Sequence, residues 1–285
     1  MDGRSPRVVP FGWMSAMIDE TTARVGVRFV GDSTPRGDHD LVAVEEPLEI
    51  RIGCKPVVVT MRTPGRDHEL AAGFLWTEGV IRRADDIDSI KHCPGVDGRN
   101  VVTVRLARGI ELDPSRLERN FYATSSCGIC GKATLDAIHQ LVNPIEDVTA
   151  LEVGVVHSLP DRMRRIQQTF GATGGCHAAG AFSFDGSLRC GREDVGRHNA
   201  VDKVVGWAVQ NRSIPLADTV LAVSGRASFE IVQKAAMAGI PVIAAVSAPS
   251  SLAIEAARRF RQTLIGFCRD GRFNVYHDPG RLVTR

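Results

Sequence analysis

Apolar and polar positions alternate along "VAVEEPLEIRIGCKPVVVTMRTPG", residues 42–65, and the alternation breaks at Gly53-Cys54-Lys55-Pro56. A period of two around a turn of that composition predicts a β-hairpin. In "DHELAAGFLWTEGVI" the spacing changes: Leu70, Phe74 and Leu75 fall on one helical face, with Asp67 placed to cap the N-terminus. Two further strands, "IDSIKHC" and "VVTVRLA", flank the turn-rich "PGVDGRN", so this half reads as an α+β unit with antiparallel strands. Beyond Cys130 helical and strand patterns alternate. Helices are expected over "ATLDAIHQLV", "RMRRIQQTF", "HNAVDKVVGWAVQNR", "ASFEIVQKAAMAG" and "SLAIEAARRF", and strands over "AGAFSF", "TVLAVSG" and "PVIAAVSA". The last two strands are almost wholly apolar, as strands covered by helices on both faces must be. The fold class is therefore α/β, with four stretches: a loose arm over 1–40, a smaller α+β unit over 41–121, a loop over 122–131, and a three-layer α/β/α domain over 132–285.

Composition narrows the class. Of 285 residues, 44% are hydrophobic and 24% charged, the balance of a folded globular chain, and the formal charge of +2 gives no field that would draw it to nucleic acid. The first residues lack a sustained apolar run, so no secretory signal is expected, and no stretch reaches the ~18 apolar residues of a membrane span. A cytoplasmic protein follows as the expectation. Arginine outnumbers lysine 30 to 5. Codon usage alone explains such a bias, while bidentate phosphate binding is the functional explanation.

Seven cysteines form no regular framework, and in a reducing compartment they are thiols or ligands rather than disulfides. Cys127 and Cys130, in "YATSSCGICGKATL", sit in a glycine-flanked loop ahead of an expected helix start. Backbone N–H groups and the helix dipole there favour a thiolate, the competent nucleophile or metal ligand. A structural zinc would need two further ligands. Only the adjacent Cys176 and His177 and the isolated Cys190 and His198 offer themselves. A thioredoxin-type dithiol would want a buried strand before the pair, and "ERNFYATSS" is a poor one.

Other candidate groups surround the strand ends. "SGRASFEIVQKAA" ends a strand at Ser224-Gly225-Arg226, with Ser228 positioned to cap the next helix. "VSAPSSLAIEAA" repeats this arrangement with Ser247 at the turn and Ser250 or Ser251 as the cap. Two such turns at the carboxyl edge of one sheet, with an arginine, suit a phosphorylated ligand. "CGREDVGRHNAVDKVVG" reads as a polar loop that brings His198 and Asn199 to a helix start; "TGGCHAAGAF" sets His177 among small residues. The stretch "FCRDGRFNVYH" predicts a hairpin turning at Asp270-Gly271, with Arg269 and Arg272 beside the turn.

Taken in order, "SSCGICG", "TGGCHAAG", "REDVGRHNAVDKVVG", "SGRASFEIVQKAAMAGIPVIAAVSAPSSLA" and "FCRDGRFNVY" resemble the FdhD family over roughly residues 40–280. The family's usual "TGGxHAAA" and "SAPTSLA" occur here with Gly180 and Ser250. The resemblance implies a sulfur carrier, or sulfurtransferase, that takes persulfide sulfur from a cysteine desulfurase. It implies delivery to the molybdenum cofactor, a bis(molybdopterin guanine dinucleotide), for maturation of formate dehydrogenase. By position Cys127 would bear the persulfide with Cys130 as partner, and Phe267 to Arg272 would contact the cofactor. A homodimer and a core resembling the cytidine deaminase fold are implied as well. The deaminase reaction is not, because His177 is followed by Ala178 and Ala179 and the cysteine pair comes earlier in the chain. The alternative is a non-catalytic cofactor-binding chaperone whose cysteine pair holds zinc or serves structure.

Overall fold

The computed structural model describes residues 16–27, 30, 39–93, 99–110 and 142–284. Cys127, Cys130 and the helix expected over "ATLDAIHQLV" up to residue 141 lie outside the described residues.

Residues 16–26, within the stretch read as an arm, form strands β1 (Ala16–Met17) and β2 (Thr22–Gly26), which continue into β3 (His39–Ala43) as a three-stranded antiparallel sheet. The first hairpin forms as the alternation predicts: β4 (Glu46–Ile52) pairs with β5 (Lys55–Arg62) across the Gly53–Cys54 turn. Strands β6 (Ile87–His92) and β7 (Val101–Leu106) pair antiparallel, but β7 joins β4 in parallel. The all-antiparallel expectation is corrected at that pair, because helix α1 (Asp67–Thr77) carries the chain across before β6 begins. Asp67 is not the cap. Arg66 holds the N-cap position at φ 61°, and the Asp67 carboxylate accepts two hydrogen bonds from the fully buried Arg62 guanidinium, each 3.0 Å long.

The larger sheet runs β10–β9–β11–β12–β13–β14. Strands β11 (Thr219–Val223), β12 (Val242–Ala245) and β13 (Thr263–Arg269) are mutually parallel, while β9 (His177–Ser183), β10 (Leu188–Asp194) and β14 (Arg272–His277) complete the sheet through antiparallel pairings. The stretch read as a polar loop is in part a strand, β10. Its charged side chains find partners on other elements rather than in water. Arg192 clasps Glu69 on α1, Glu193 accepts from the backbone N–H groups of Thr169 and Phe170, and Asp194 meets Lys203 at 2.8 Å.

Alternation along β11 and β12 divides two cores. Leu221, Val223, Ile243 and Ala245 face α1, α4 (Arg197–Gln210), α5 (Phe229–Met237) and α6 (Ser251–Phe260), in a core continuous with Leu48, Ile50, Val102 and Val104 of the smaller sheet. Val220, Ala222, Val242 and Ala244 face the other way, toward Val156, Leu159 and Met163 of α2 (Val153–Ile166). The short α3 (Gln168–Thr173) follows, and "RMRRIQQTF" is thus split between two helices at Gln167. A small parallel pair, β8 (Leu151–Glu152) with β15 (Leu282–Val283), ties the two ends of this region together. No helix among the described residues is long and apolar enough to cross a membrane.

Glycines set the two closest approaches. A methyl group on Gly73 of α1 would lie 1.8 Å from the Asp202 carbonyl oxygen, and one on Gly206 of α4 would lie 1.7 Å from that of Glu69. The two helix backbones therefore touch directly. Across the sheet, Gly180 pairs with Gly191, and a methyl on either would strike the α2 side, at Met163 or Ile166.

Pro160 inside α2 cannot donate to the Val156 carbonyl. The Cys268 thiol donates to it instead, at 3.5 Å.

Candidate functional site

The carboxyl ends of β10, β11, β12 and β13 lie at one edge of the sheet, together with the start of β9 and the N-termini of α4, α5 and α6. This follows from topology: each helix after a parallel strand starts where that strand stops. The edge gathers most of the residues that the sequence singled out.

The two turns run side by side. Ser247 N donates to the Gly225 carbonyl at 3.3 Å, Ser250 N to that of Ala227 at 3.0 Å, and Ala227 pairs with Pro249 as an isolated parallel bridge. Ser224 Oγ accepts from Ala178 N at 2.9 Å and so fastens β11 to β9. Ser250 caps α6 by accepting from Ala253 N at 3.2 Å. Ser228 holds the N-cap position of α5 but makes no side-chain cap; its hydroxyl lies 3.2 Å from His198 Nε2. Arg226 projects into solvent from the first turn.

The β13–β14 hairpin borders the same edge. Phe267 N donates to the Ser247 carbonyl at 3.2 Å, which draws the hairpin against the second turn. A methyl on Gly266 would lie 2.9 Å from Pro249, so this contact needs a glycine. Phe267 stands at φ 50° and Asp270 at φ 54°, with the pairing irregular between Gly266 and Arg269. A bulky residue in the left-handed region is strained by about 1–2 kcal/mol, and such strain concentrates at ligand sites. The Arg269 guanidinium lies 5.8 Å over the Phe267 ring, and Asp270, Gly271 and Arg272 are exposed. Cys268 points the other way, into the α2 core, where burial pushes its thiol up to about 11.

His177 begins β9 opposite Asp194. Burial lowers its pKa, and the nearby Arg197 and His198 lower it further. His198 Nε2 also lies 3.6 Å from Glu230, whose carboxyl is held down to about 2 chiefly by the His198 imidazole. Asn199 is spent on the scaffold: its amide donates to the Met61 carbonyl at 2.7 Å and to Asp194 at 3.0 Å. Arg197 and Glu230 are the two residues of this edge that the sequence did not single out as ligands. Arg197 was one charge among many in "REDVGRHN", and Glu230 looked like an ordinary first-turn acid.

The remaining thiols differ in setting. Cys176 is buried 3.6 Å from the Thr63 hydroxyl with its pKa raised, mainly by burial. Cys190 is buried in β10, where burial pushes it up to about 12. Cys54 is exposed in the first hairpin turn.

Comparison with known proteins accords with this layout. The model of the FdhD/NarQ family matches residues 43–283. The protein named Sulfur carrier protein FdhD from Streptomyces avermitilis is 55% identical over 272 residues, covering 93% of this chain and 96% of its own length. The protein of the same name from Mycobacterium tuberculosis is 49% identical over 254 residues, covering 86% of this chain and 92% of its own. Among solved structures, a protein from Desulfotalea psychrophila described as a formate dehydrogenase accessory protein superposes with a TM-score of 0.74 at 25% identity, covering 92% of this chain and 100% of that one. A family model spanning most of the chain, with relatives near half identity across nearly their full length, fixes the conclusion: this chain belongs to the FdhD/NarQ family.

Proposed function

We propose that the protein is a sulfur carrier in formate dehydrogenase maturation, bearing the sulfur as a persulfide on Cys127 with Cys130 as its partner. The observation that carries this reading is the near full-length similarity to relatives named sulfur carriers. Uptake is a thiol–persulfide exchange. The Cys127 thiolate attacks the outer sulfur of a cysteine desulfurase persulfide, the donor's S–S bond breaks, and the desulfurase cysteine leaves as a thiolate. Delivery as hydrosulfide needs two electrons. Attack of the Cys130 thiolate on the Cys127 sulfur supplies them, expelling the outer sulfur and leaving a Cys127–Cys130 disulfide that a dithiol reductant reopens.

The proposed acceptor is the molybdenum cofactor, as bis(molybdopterin guanine dinucleotide), taken as substrate. The carboxyl edge fits a ligand with several phosphates and flat rings. It offers helix N-termini, Arg226 in solvent, a buried Arg197 Nε with no acceptor among the described residues, and Phe267 stacked with Arg269. Phe267, Arg269 to Arg272, Ser224 to Arg226, Ser228, Ser247, Ser250, His177 and His198 are the residues that would hold it, Asn199 and Cys268 serving from behind. The reading includes a cytoplasmic homodimer that meets both desulfurase and dehydrogenase, and a sheet with its helices that reuses the cytidine deaminase fold without its reaction.

The test is complementation of a host that lacks its own family member. Wild type should restore formate dehydrogenase activity and Cys127→Ala should not, at equal protein levels. Full restoration by Cys127→Ala would sink the reading.

A further inference from the structure

A cavity of about 690 Å³ opens where the start of α1, the β1–β2 turn and the smaller sheet meet, and no residue named above for the carboxyl edge lines it. Its size falls within the roughly 300–1,000 Å³ of small-molecule sites. Three acids line it, Glu20, Glu46 and Asp67, against three arginines, Arg62, Arg66 and Arg99.

The floor of this cavity is fixed. The fully buried Arg62 guanidinium gives two hydrogen bonds to Asp67, one to Glu46 Oε2 at 3.1 Å, one to Asn100 Oδ1 at 3.2 Å and one to the Arg99 carbonyl at 3.2 Å. Arg62 and Asp67 thus answer each other's charge, and the arginine locks its neighbours in place. Glu46 and Asn100 each spend one atom on Arg62, so Glu46 Oε1 and the Asn100 amide N–H groups keep their bonding capacity. Glu20 closes one wall. Gly65, at φ 93°, leaves space for it, since a methyl there would lie 2.9 Å from Glu20 Oε1. Glu20, Arg66 and Arg99 are exposed and form no ion pair among the described residues.

We propose that this cavity binds a short peptide as a zwitterion, its ammonium held by Glu20 and Glu46 and its carboxylate by Arg66 and Arg99. With Arg62 and Asp67 paired, two acids and two arginines remain to meet a ligand. Such a balance disfavours a ligand of net charge and suits one that carries a charge of each sign. A polyphosphate would face Glu20 and Glu46. A single amino acid would leave most of the volume empty, whereas two or three residues occupy it and bring peptide carbonyls to the Asn100 amide. Neither sulfur nor the molybdenum cofactor enters the test, so this site and the sulfur-carrier reading can fail separately.

The experiment is saturation-transfer NMR of the full-length protein with a mixture of free tripeptides. The strongest binder is then titrated beside its N-acetylated and C-amidated forms. Wild type should bind the free peptide, and blocking either end should weaken binding by about tenfold, the scale of a lost charge-assisted contact. Glu20→Gln should weaken the free peptide by about threefold and leave the N-acetylated form unchanged. Arg99→Gln should likewise weaken the free peptide and leave the C-amidated form unchanged. Matching each residue to one end of the peptide is a result that a general disturbance of the fold does not produce. Both variants alter exposed side chains, and Glu46→Gln, which keeps an acceptor for Arg62, is a second acid variant with the same expectation as Glu20→Gln. Arg189→Gln, paired with Asp218 outside the cavity, should change nothing. The proposal is overturned if no tripeptide binds wild type or if a blocked form binds as tightly as the free one. It is overturned equally if Glu20→Gln and Arg99→Gln bind the free peptide as wild type does, or weaken free and blocked peptides alike.

Discussion

Single side chains in this protein owe their chemistry to where the backbone puts them. Cys268 and Cys190 are thiols that burial holds in the protonated form, up to about 11 and about 12. In the native protein at neutral pH, iodoacetamide should label the exposed Cys54 and spare these two until denaturant is added; peptide mass mapping reads the result. Cys268→Ala should cost roughly 1 kcal/mol in a denaturant titration, because the Val156 carbonyl beneath Pro160 loses its donor. Glu230 gives a pH signature. Its folded pKa of about 2 lies below the ordinary 4.5, so its stabilisation is complete above 4.5 and disappears as pH falls toward 2. Allowing for its partial exposure, Glu230→Gln should flatten the acid limb of a stability–pH curve by about 1–2 kcal/mol. The hairpin around Cys268 was legible from its Asp270-Gly271 turn, yet the thiol's inward direction was not. That direction follows from the bulge between Gly266 and Arg269, and pairing irregularities leave no mark on a period-two pattern.

Elements are held in register here by glycine contacts and buried ion pairs rather than by apolar stripes alone. α1 is buried on nearly every side, so its pattern could show a helix but not which face meets which neighbour. Its crossing with α4 depends on Gly73 and Gly206, where a methyl group would overlap a carbonyl oxygen at 1.8 and 1.7 Å. Either residue changed to Ala should destabilise by about 3 kcal/mol or more, seen as a lowered denaturation midpoint, although alanine favours isolated helices. Asp67→Asn should cost about 1–3 kcal/mol, because the buried Arg62 loses its two-bonded carboxylate while keeping Glu46 at 3.1 Å. Strand β10 went unread for a related reason. Arg192, Glu193 and Asp194 look like a solvated turn in one dimension, and only α1, α3 and α4 supply their partners. The apolar runs of β11 and β12 and the Ser250 cap were legible because their signals are local.

Over the whole molecule, the smaller sheet, α1, the helices above the larger sheet and the sheet itself share one continuous core. The boundaries drawn from changes in sequence texture therefore divide a chain whose halves pack through α1 and α4. That packing fixes the carboxyl edge, where His177, Ser224 to Ser228, Ser247 to Ser250 and Phe267 to Arg272 converge from four separate stretches. The gathering was legible in outline, since two strand–turn–helix repeats at parallel strands must share an edge. The approach of Arg197 and His198 to His177, and of His198 to Glu230, was not, because it spans three elements.

The central claim is that Cys127 carries sulfur, and the most direct measurement is intact-protein mass spectrometry after incubation with a cysteine desulfurase and cysteine. The account predicts a single-sulfur increment that alkylation mapping assigns to Cys127 and that vanishes in Cys127→Ala. Wild type that gains no sulfur, or a Cys127→Ala variant that gains it as wild type does, would contradict it.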